Sequence, residues 1–199
     1  MGPAITVFGG ARYKPGHLYY ETGVEIGKRI AELGFVTVTG GGPGIMEAAN
    51  KGAFEHGGKS IGINVLLPFE QSPNPYVHKS VTINYFFVRK TLLLKYSYAF
   101  IVLPGGFGTL DELFETLTLM QTNIVYDFPV VLIGKEYWAK LFEFIEHMAL
   151  EKTISPEDIH LFKITDSIDE AIEYIQNDIG ENYKIEKIRK PLWWLFEKS

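Results

Sequence analysis

The stretch from Ala99 to Met120, AFIVLPGGFGTLDELFETLTLM, carries an apolar run through a glycine turn and straight into a helical pattern. Ala99 to Leu103 is a short continuous apolar segment closed by Pro104, the pattern of a strand buried on both faces of a parallel sheet. Gly105, Gly106 and Gly108 have no Cβ atoms, so the backbone there can bend sharply and present several N–H groups to one oxyanion. Thr109 is expected to open the helix, its hydroxyl capping the first turn or donating to a phosphate that the helix dipole also favours. Strand, glycine turn and helix in that order confine the chain to the α/β folds and mark the turn as a candidate phosphate site.

A purely structural reading accounts for part of the same stretch. Thr109, Leu110, Asp111 and Glu112 have the T-x-x-E form of a capping box, in which Glu112 serves the helix end and no ligand. A capping box needs no three glycines before it, and that excess of glycine favours ligand binding.

Elsewhere the chain repeats the alternation of strand and helix. Ala4 to Phe8 reads as the first strand, and Gly9 to Arg12 as the loop at its carboxyl end, where open α/β sheets hold ligands. Arg12 is thereby a candidate anion contact, or else a solvated loop cation. Tyr19 to Leu33 reads as a helix stopped by Gly34. Phe35 to Thr39 is a second strand, and a second glycine turn, GGGPG from Gly40 to Gly44, feeds the helical IMEAANKGAFEHG. Gly41 and Gly42 are candidate substrate contacts, although the spacing does not meet G-x-G-x-x-G and so indicates no dinucleotide fingerprint. Glu47 falls in the first turn of that helix, where dipole stabilisation is the simpler role, and Asn50 carries no assignable one.

Lys59 to Asn64 reads as a third strand, and the proline-rich loop from Leu67 to Lys79 as either a flap over a ligand or an inert connection. A strand over Ser80 to Phe87 and a helix over Val88 to Tyr98 follow. Arg89 and Lys90 then fall in a first helical turn, where the dipole disfavours cations by about 0.3–1 kcal/mol each; an anionic ligand resolves that conflict, so both are candidate contacts. Pro129 to Ile133 reads as a strand, Tyr137 to Leu150 as a scaffold helix, Lys163 to Thr165 as a last strand and Asp166 to Gln176 as a last helix. The segment 184–199 is expected to dock on the body or on another subunit, because the adjacent Trp193 and Trp194, with Phe196, are costly to leave in water. The expected fold is a doubly wound, Rossmann-like parallel sheet in a single domain covering 1–199.

Composition narrows the function. A chain of 199 residues, 46% of them hydrophobic, is long enough for one globular domain with a proper core. A net charge of −5 excludes the broad basic footprint that nucleic acid requires, so a phosphate has to be held locally. The absence of cysteine excludes disulfides, thiolate zinc sites and cysteine nucleophiles. The histidines form no H-x-x-x-H or H-E-x-x-H, and no metal is expected. Without a leader or an apolar segment of spanning length, a cytoplasmic protein with no membrane partner is expected. No G-x-S-x-G elbow is present. His78-Lys79 resembles the dipeptide around some pyridoxal phosphate lysines, but it sits beside the long loop, and no cofactor is expected.

Three segments together resemble a known family: GGGPGIMEAANKGA (Gly40 to Ala53), the Arg89-Lys90 pair and PGGFGTLDE (Pro104 to Glu112). They are similar to the Lonely Guy family of cytokinin riboside 5'-monophosphate phosphoribohydrolases, many of whose members carry the older label "lysine decarboxylase-like", and to bacterial nucleotide 5'-monophosphate nucleosidases. The similarity covers about Ile5 to Leu150. The resemblance implies hydrolysis of the N-glycosidic bond of a nucleoside 5'-monophosphate to free base and ribose 5-phosphate, with Arg89 and Glu112 as the catalytic pair and Gly105, Gly106, Gly108 and Thr109 on the 5'-phosphate. It also implies a homodimer or higher oligomer with sites near the subunit interface. Pro43 to Met46 resembles a bacterial branch rather than the plant type, which points away from a hormone substrate. The rival is a non-catalytic nucleotide or molybdenum-cofactor carrier, which needs phosphate contacts but no carboxylate at a sugar carbon.

Overall fold

The computed structural model describes residues 2–66, 72–126 and 128–182. The docking tail expected at 184–199, and the first part of the proline-rich loop, lie outside the described residues. Seven strands, β1 (Ala4–Phe8), β2 (Val36–Thr39), β3 (Ser60–Val65), β4 (Lys79–Ile83), β5 (Ser97–Val102), β6 (Val130–Ile133) and β7 (Lys163–Thr165), form one parallel sheet in the order β4-β3-β2-β1-β5-β6-β7. The helices are α1 (Leu18–Glu32), α2 (Ile45–Glu55), α3 (Phe86–Lys95), α4 (Phe107–Gln121), α5 (Lys135–Leu150) and α6 (Ile168–Asn182), with a short 3-10 turn at Pro156–His160.

The continuous apolar runs are explained by burial on both faces. Ile5, Val7, Ala99, Ile101, Val131 and Ile133 point to one side, where they pack with Ile26 and Ile30 of α1, Ala49 of α2 and Ile175 of α6. Their sequence neighbours Ala4, Phe8, Phe100, Val102, Val130 and Leu132 point to the other, against Leu93 of α3, Leu113 of α4 and Trp138 of α5. Successive strand residues alternate between faces, so only a run apolar at every position fills both layers. Each fully buried Val, Leu or Ile contributes roughly 1.5–3 kcal/mol relative to exposure.

β1 is flanked by β2 and β5, and the strand order reverses there. The connection after β1 runs to the α1 layer and that after β5 to the α4 layer, so the two carboxyl ends part and leave a crevice. Gly10 N–H donates to the Pro104 carbonyl at 2.9 Å and closes its floor.

Of the boundaries that differ from expectation, two bear on the site. β4 stops at Ile83, and α3 starts at Phe86, earlier than the periodicity indicates. β4 is an exposed edge strand with β3 as its neighbour, and the aromatic run that follows it packs as a helix turn instead. Arg89 and Lys90 therefore sit one turn into α3, where Arg89 N–H already donates to the Tyr85 carbonyl at 3.2 Å, and not among the free amides. α4 begins at Phe107 with Gly106 as its N-cap and no side-chain cap. Thr109 is thus its third residue, and the T-x-x-E spacing does not form a capping box. Glu112, in the second turn, is released from that role.

Candidate active site

The crevice at the ends of β1 and β5 is a cleft of about 860 Å3. Arg12, Arg89, Gly105, Gly106, Gly108, Thr109 and Glu112 all line it. The α4 amino terminus forms one wall. Thr109 and Leu110 N–H donate to the Gly106 carbonyl at 3.0 Å, while the amides at the very start of the helix have no partner within it. Those amides and the dipole suit an anion. The Thr109 side chain lies across Gly105, where a Cβ would fall 2.1 Å from its Oγ1.

Glu112 and Arg89 form the other distinctive feature. Arg89 Nη1 stands 3.5 Å from Glu112 Oε1, with side-chain exposures of 14% and 7%. That is looser than a charge-assisted hydrogen bond of about 2.7–2.9 Å, so the carboxylate is paired without being saturated. Arg89 is held by its Nε, which donates to the Ile63 carbonyl at 2.9 Å. Burial pushes the Glu112 carboxyl up to about 7, against the opposing pull of the Arg89 and Lys90 cations. Burial also lowers the Arg89 guanidinium, and the Glu112 and Asp111 charges counter it. A carboxyl group poised near neutrality beside an arginine is equipped for proton transfer or for stabilising a developing cation.

Three candidates are placed elsewhere. Lys90 Nζ lies 3.0 Å from Asp111 Oδ1 and 2.6 Å from Glu115 Oε2, tying α3 to α4 outside the cleft lining. Its charge conflict with the helix is thus met by carboxylates of α4 and needs no ligand. Gly41 and Gly42 sit behind the cleft, their carbonyls accepting from the backbone and side-chain amides of Asn74 at 2.9 and 3.1 Å. Glu47 accepts from the Tyr20 hydroxyl at 2.9 Å and stays structural.

The cleft also contains residues that periodicity did not single out: Tyr13, Met46, Phe107 and Tyr137. Tyr137 belongs to a helix read as scaffold, yet its hydroxyl donates to the Gly105 carbonyl at 2.7 Å and so braces the turn. An aromatic at the start of the helix that follows the next strand was the only signal available for it.

A parallel sheet covered by helices on both faces, with a cleft at its switch point, defines a Rossmann-like α/β protein. The sequence profile of the family described as "Possible lysine decarboxylase" matches residues 46–175, and the chain belongs to this family, the Lonely Guy family. It is 31% identical over 185 residues to the cytokinin riboside 5'-monophosphate phosphoribohydrolase LOG1 of Arabidopsis thaliana, covering 91% of this chain and 86% of that protein. It is 32% identical over 180 residues to the cytokinin riboside 5'-monophosphate phosphoribohydrolase of Rhodococcoides fascians, covering 87% and 89%. Among solved structures, the molybdenum cofactor binding protein from Rippkaea orientalis superposes with a TM-score of 0.69 at 26% identity, over 90% of this chain and 98% of that one.

Proposed function

We propose that the protein hydrolyses the N-glycosidic bond of a nucleoside 5'-monophosphate, with Glu112 and Arg89 as its catalytic residues. The single observation that carries this reading is the buried Glu112, unsaturated and poised near pH 7, one turn along the helix whose amino terminus suits a phosphate. A 5'-phosphate against Gly105, Gly106, Gly108 and Thr109 brings the ribose toward Glu112, and Arg12 at the mouth adds a second cation. As the C1'–N bond breaks, its electron pair leaves with the base and positive charge develops on the sugar. The Glu112 carboxylate stabilises that charge and takes a proton from the attacking water, whose oxygen bonds to C1'; the proton is returned to the base. The products are free base and ribose 5-phosphate. Glycoside hydrolysis uses carboxylates in the same two ways. Arg89 keeps the carboxylate oriented and favours its ionised form.

The relatives named as phosphoribohydrolases support this reading, and the likeness to a molybdenum cofactor binding protein supports a carrier as the second one. A carrier has no use for a carboxyl group poised in this way. A panel of nucleoside 5'-monophosphates, with free base and ribose 5-phosphate quantified by chromatography, separates them. Release of base from at least one monophosphate and hardly any from the matching nucleosides is expected, because the phosphate supplies remote binding energy. Equal turnover of AMP and adenosine contradicts the phosphate grip, and tight AMP binding with no release from any monophosphate supports the carrier.

The functional unit we propose is a homodimer closed over α3 and β4. Val81, Tyr85, Phe86 and Phe87 are 49%, 63%, 52% and 68% exposed and make an apolar face beside the site. Such a patch marks an association surface. Light scattering is expected to give at least twice the 22.5 kDa chain mass, and Phe87→Asp to lower it; a monomeric wild type ends the proposal. No described helix is long and apolar enough to cross a membrane.

A further inference from the structure

The second glycine turn, Gly40 to Gly44, leads away from the cleft lining into a buried polar network. Gly41 N–H donates to Thr39 Oγ1 at 2.9 Å, and the Thr39 hydroxyl donates to Asn50 Oδ1 at 2.6 Å. Asn50 Nδ2 donates to Ser60 Oγ at 2.7 Å. From the opposite side, Asn74 Nδ2 donates to the Gly42 carbonyl at 3.1 Å and to Asn50 Oδ1 at 2.9 Å, and its backbone N–H to the Gly41 carbonyl at 2.9 Å. Thr39, Asn50 and Ser60 are fully buried and Asn74 is 6% exposed. A saturated buried network of this kind fixes one geometry, because each member that leaves it strands a partner without water.

The geometry it fixes is that of the turn against Arg89. A Cβ on Gly40 would lie 2.4 Å from Arg89 Nη2 and 2.7 Å from Met46 Sδ, so the guanidinium rests directly on the Gly40 backbone. Arg89 is thus confined by the Ile63 carbonyl at Nε, by Glu112 at Nη1 and by Gly40 at Nη2. We infer that Thr39, Asn50 and Asn74 are positioning residues, which hold Gly40–Gly42 as the backing that aims Arg89 at Glu112 in the cleft. The inference rests on the proposed catalytic role of Arg89 and gives the buried asparagines of α2 and of the segment before β4 a task in the reaction. It also explains why a second glycine turn of nearly the same form is present without lining the cleft. Gly40 leaves room for an arginine, and its neighbours are pinned so that the room stays open.

The test is steady-state AMP hydrolysis and its pH profile for Thr39→Val, Thr39→Ser, Gly40→Ala and Arg89→Ala. Thr39→Val keeps the shape and strands the Gly41 amide, whereas Thr39→Ser keeps the hydroxyl. Thr39→Val is expected to lose roughly tenfold in kcat with KM changed less than twofold, and to shift the acid limb upward as Arg89 moves from Glu112; Thr39→Ser restores both. Gly40→Ala meets the movable ends of Arg89 and Met46, so it folds and gives a similar kcat loss even if Thr39→Val does not fold. Wild-type kcat and acid limb in Gly40→Ala, with Arg89→Ala inactive, overturn the inference and leave the catalytic reading standing. Full activity in Arg89→Ala overturns that reading itself.

Discussion

The two glycine turns share a sequence form and differ in what surrounds them. At Gly106 and Gly108 an added Cβ would meet nothing within 4 Å, although at Gly105 it would strike Thr109 at 2.1 Å; at Gly40, Gly41 and Gly44 it would strike a neighbour at 2.4, 2.8 and 2.4 Å. Gly41 and Gly44 further hold φ at +74° and +72°. One turn is packed at each of these glycines, and the other keeps space open at two of its three. Unused space above a helix amino terminus is what an incoming phosphate requires. A glycine that nothing in the protein demands is therefore the better pointer to a ligand.

The contrast predicts opposite responses to the same substitution. Gly44→Ala forces a side chain into a positive-φ position against the Gly10 carbonyl and is expected to destabilise by roughly 4 kcal/mol, from strain and overpacking together. A denaturant titration that finds it as stable as wild type removes the packing half of the comparison.

The acid on the helix that follows the open turn gives the next largest effect. With its folded pKa raised to about 7, Glu112 favours the folded state fully below the unfolded carboxyl value near 4.5, and that stability is lost as pH rises through 7. Each unit of the shift is worth about 1.4 kcal/mol, so the wild type is expected to lose roughly 2–3 kcal/mol between pH 4.5 and 8 that a Glu112→Gln protein keeps. Melting curves of the two across that range are expected to diverge with rising pH. Parallel curves for Glu112→Gln contradict the burial cost assigned to Glu112.

The smallest effect sharpens the comparison most. Gly106→Ala and Gly108→Ala have room within the protein, so melting temperature is expected to hold or rise, while kcat/KM for AMP falls roughly tenfold because the added methyl stands in the space the phosphate needs to reach the free amides. Unchanged kcat/KM in both means the open turn is not where the phosphate sits.

Much of this was legible in the residues. The apolar runs 4–8, 99–103 and 129–133 already indicated a sheet covered on both faces, and PGGFGTLDE marked the glycine turn that lines the cleft. What was hidden depended on partners distant in sequence. Nothing near Gly41 and Gly42 reveals that Asn74 occupies their carbonyls, and nothing near Lys90 reveals Asp111 and Glu115. Helix starts were misjudged for a local reason: Phe86, Phe87 and Phe107 lead their helices with exposed aromatics, which read as strand or turn. The starts at Phe86 and Phe107 also moved Arg89 and Glu112 two residues further into their helices and ended the capping-box reading of Glu112.

The central claim is that Glu112 performs chemistry rather than capping a helix, and base release by Glu112→Gln tests it most directly. With a folded, AMP-binding Glu112→Gln protein, adenine release from AMP is expected to fall on the order of a hundredfold or more while AMP still binds. Adenine release at the wild-type rate from that protein would contradict the account.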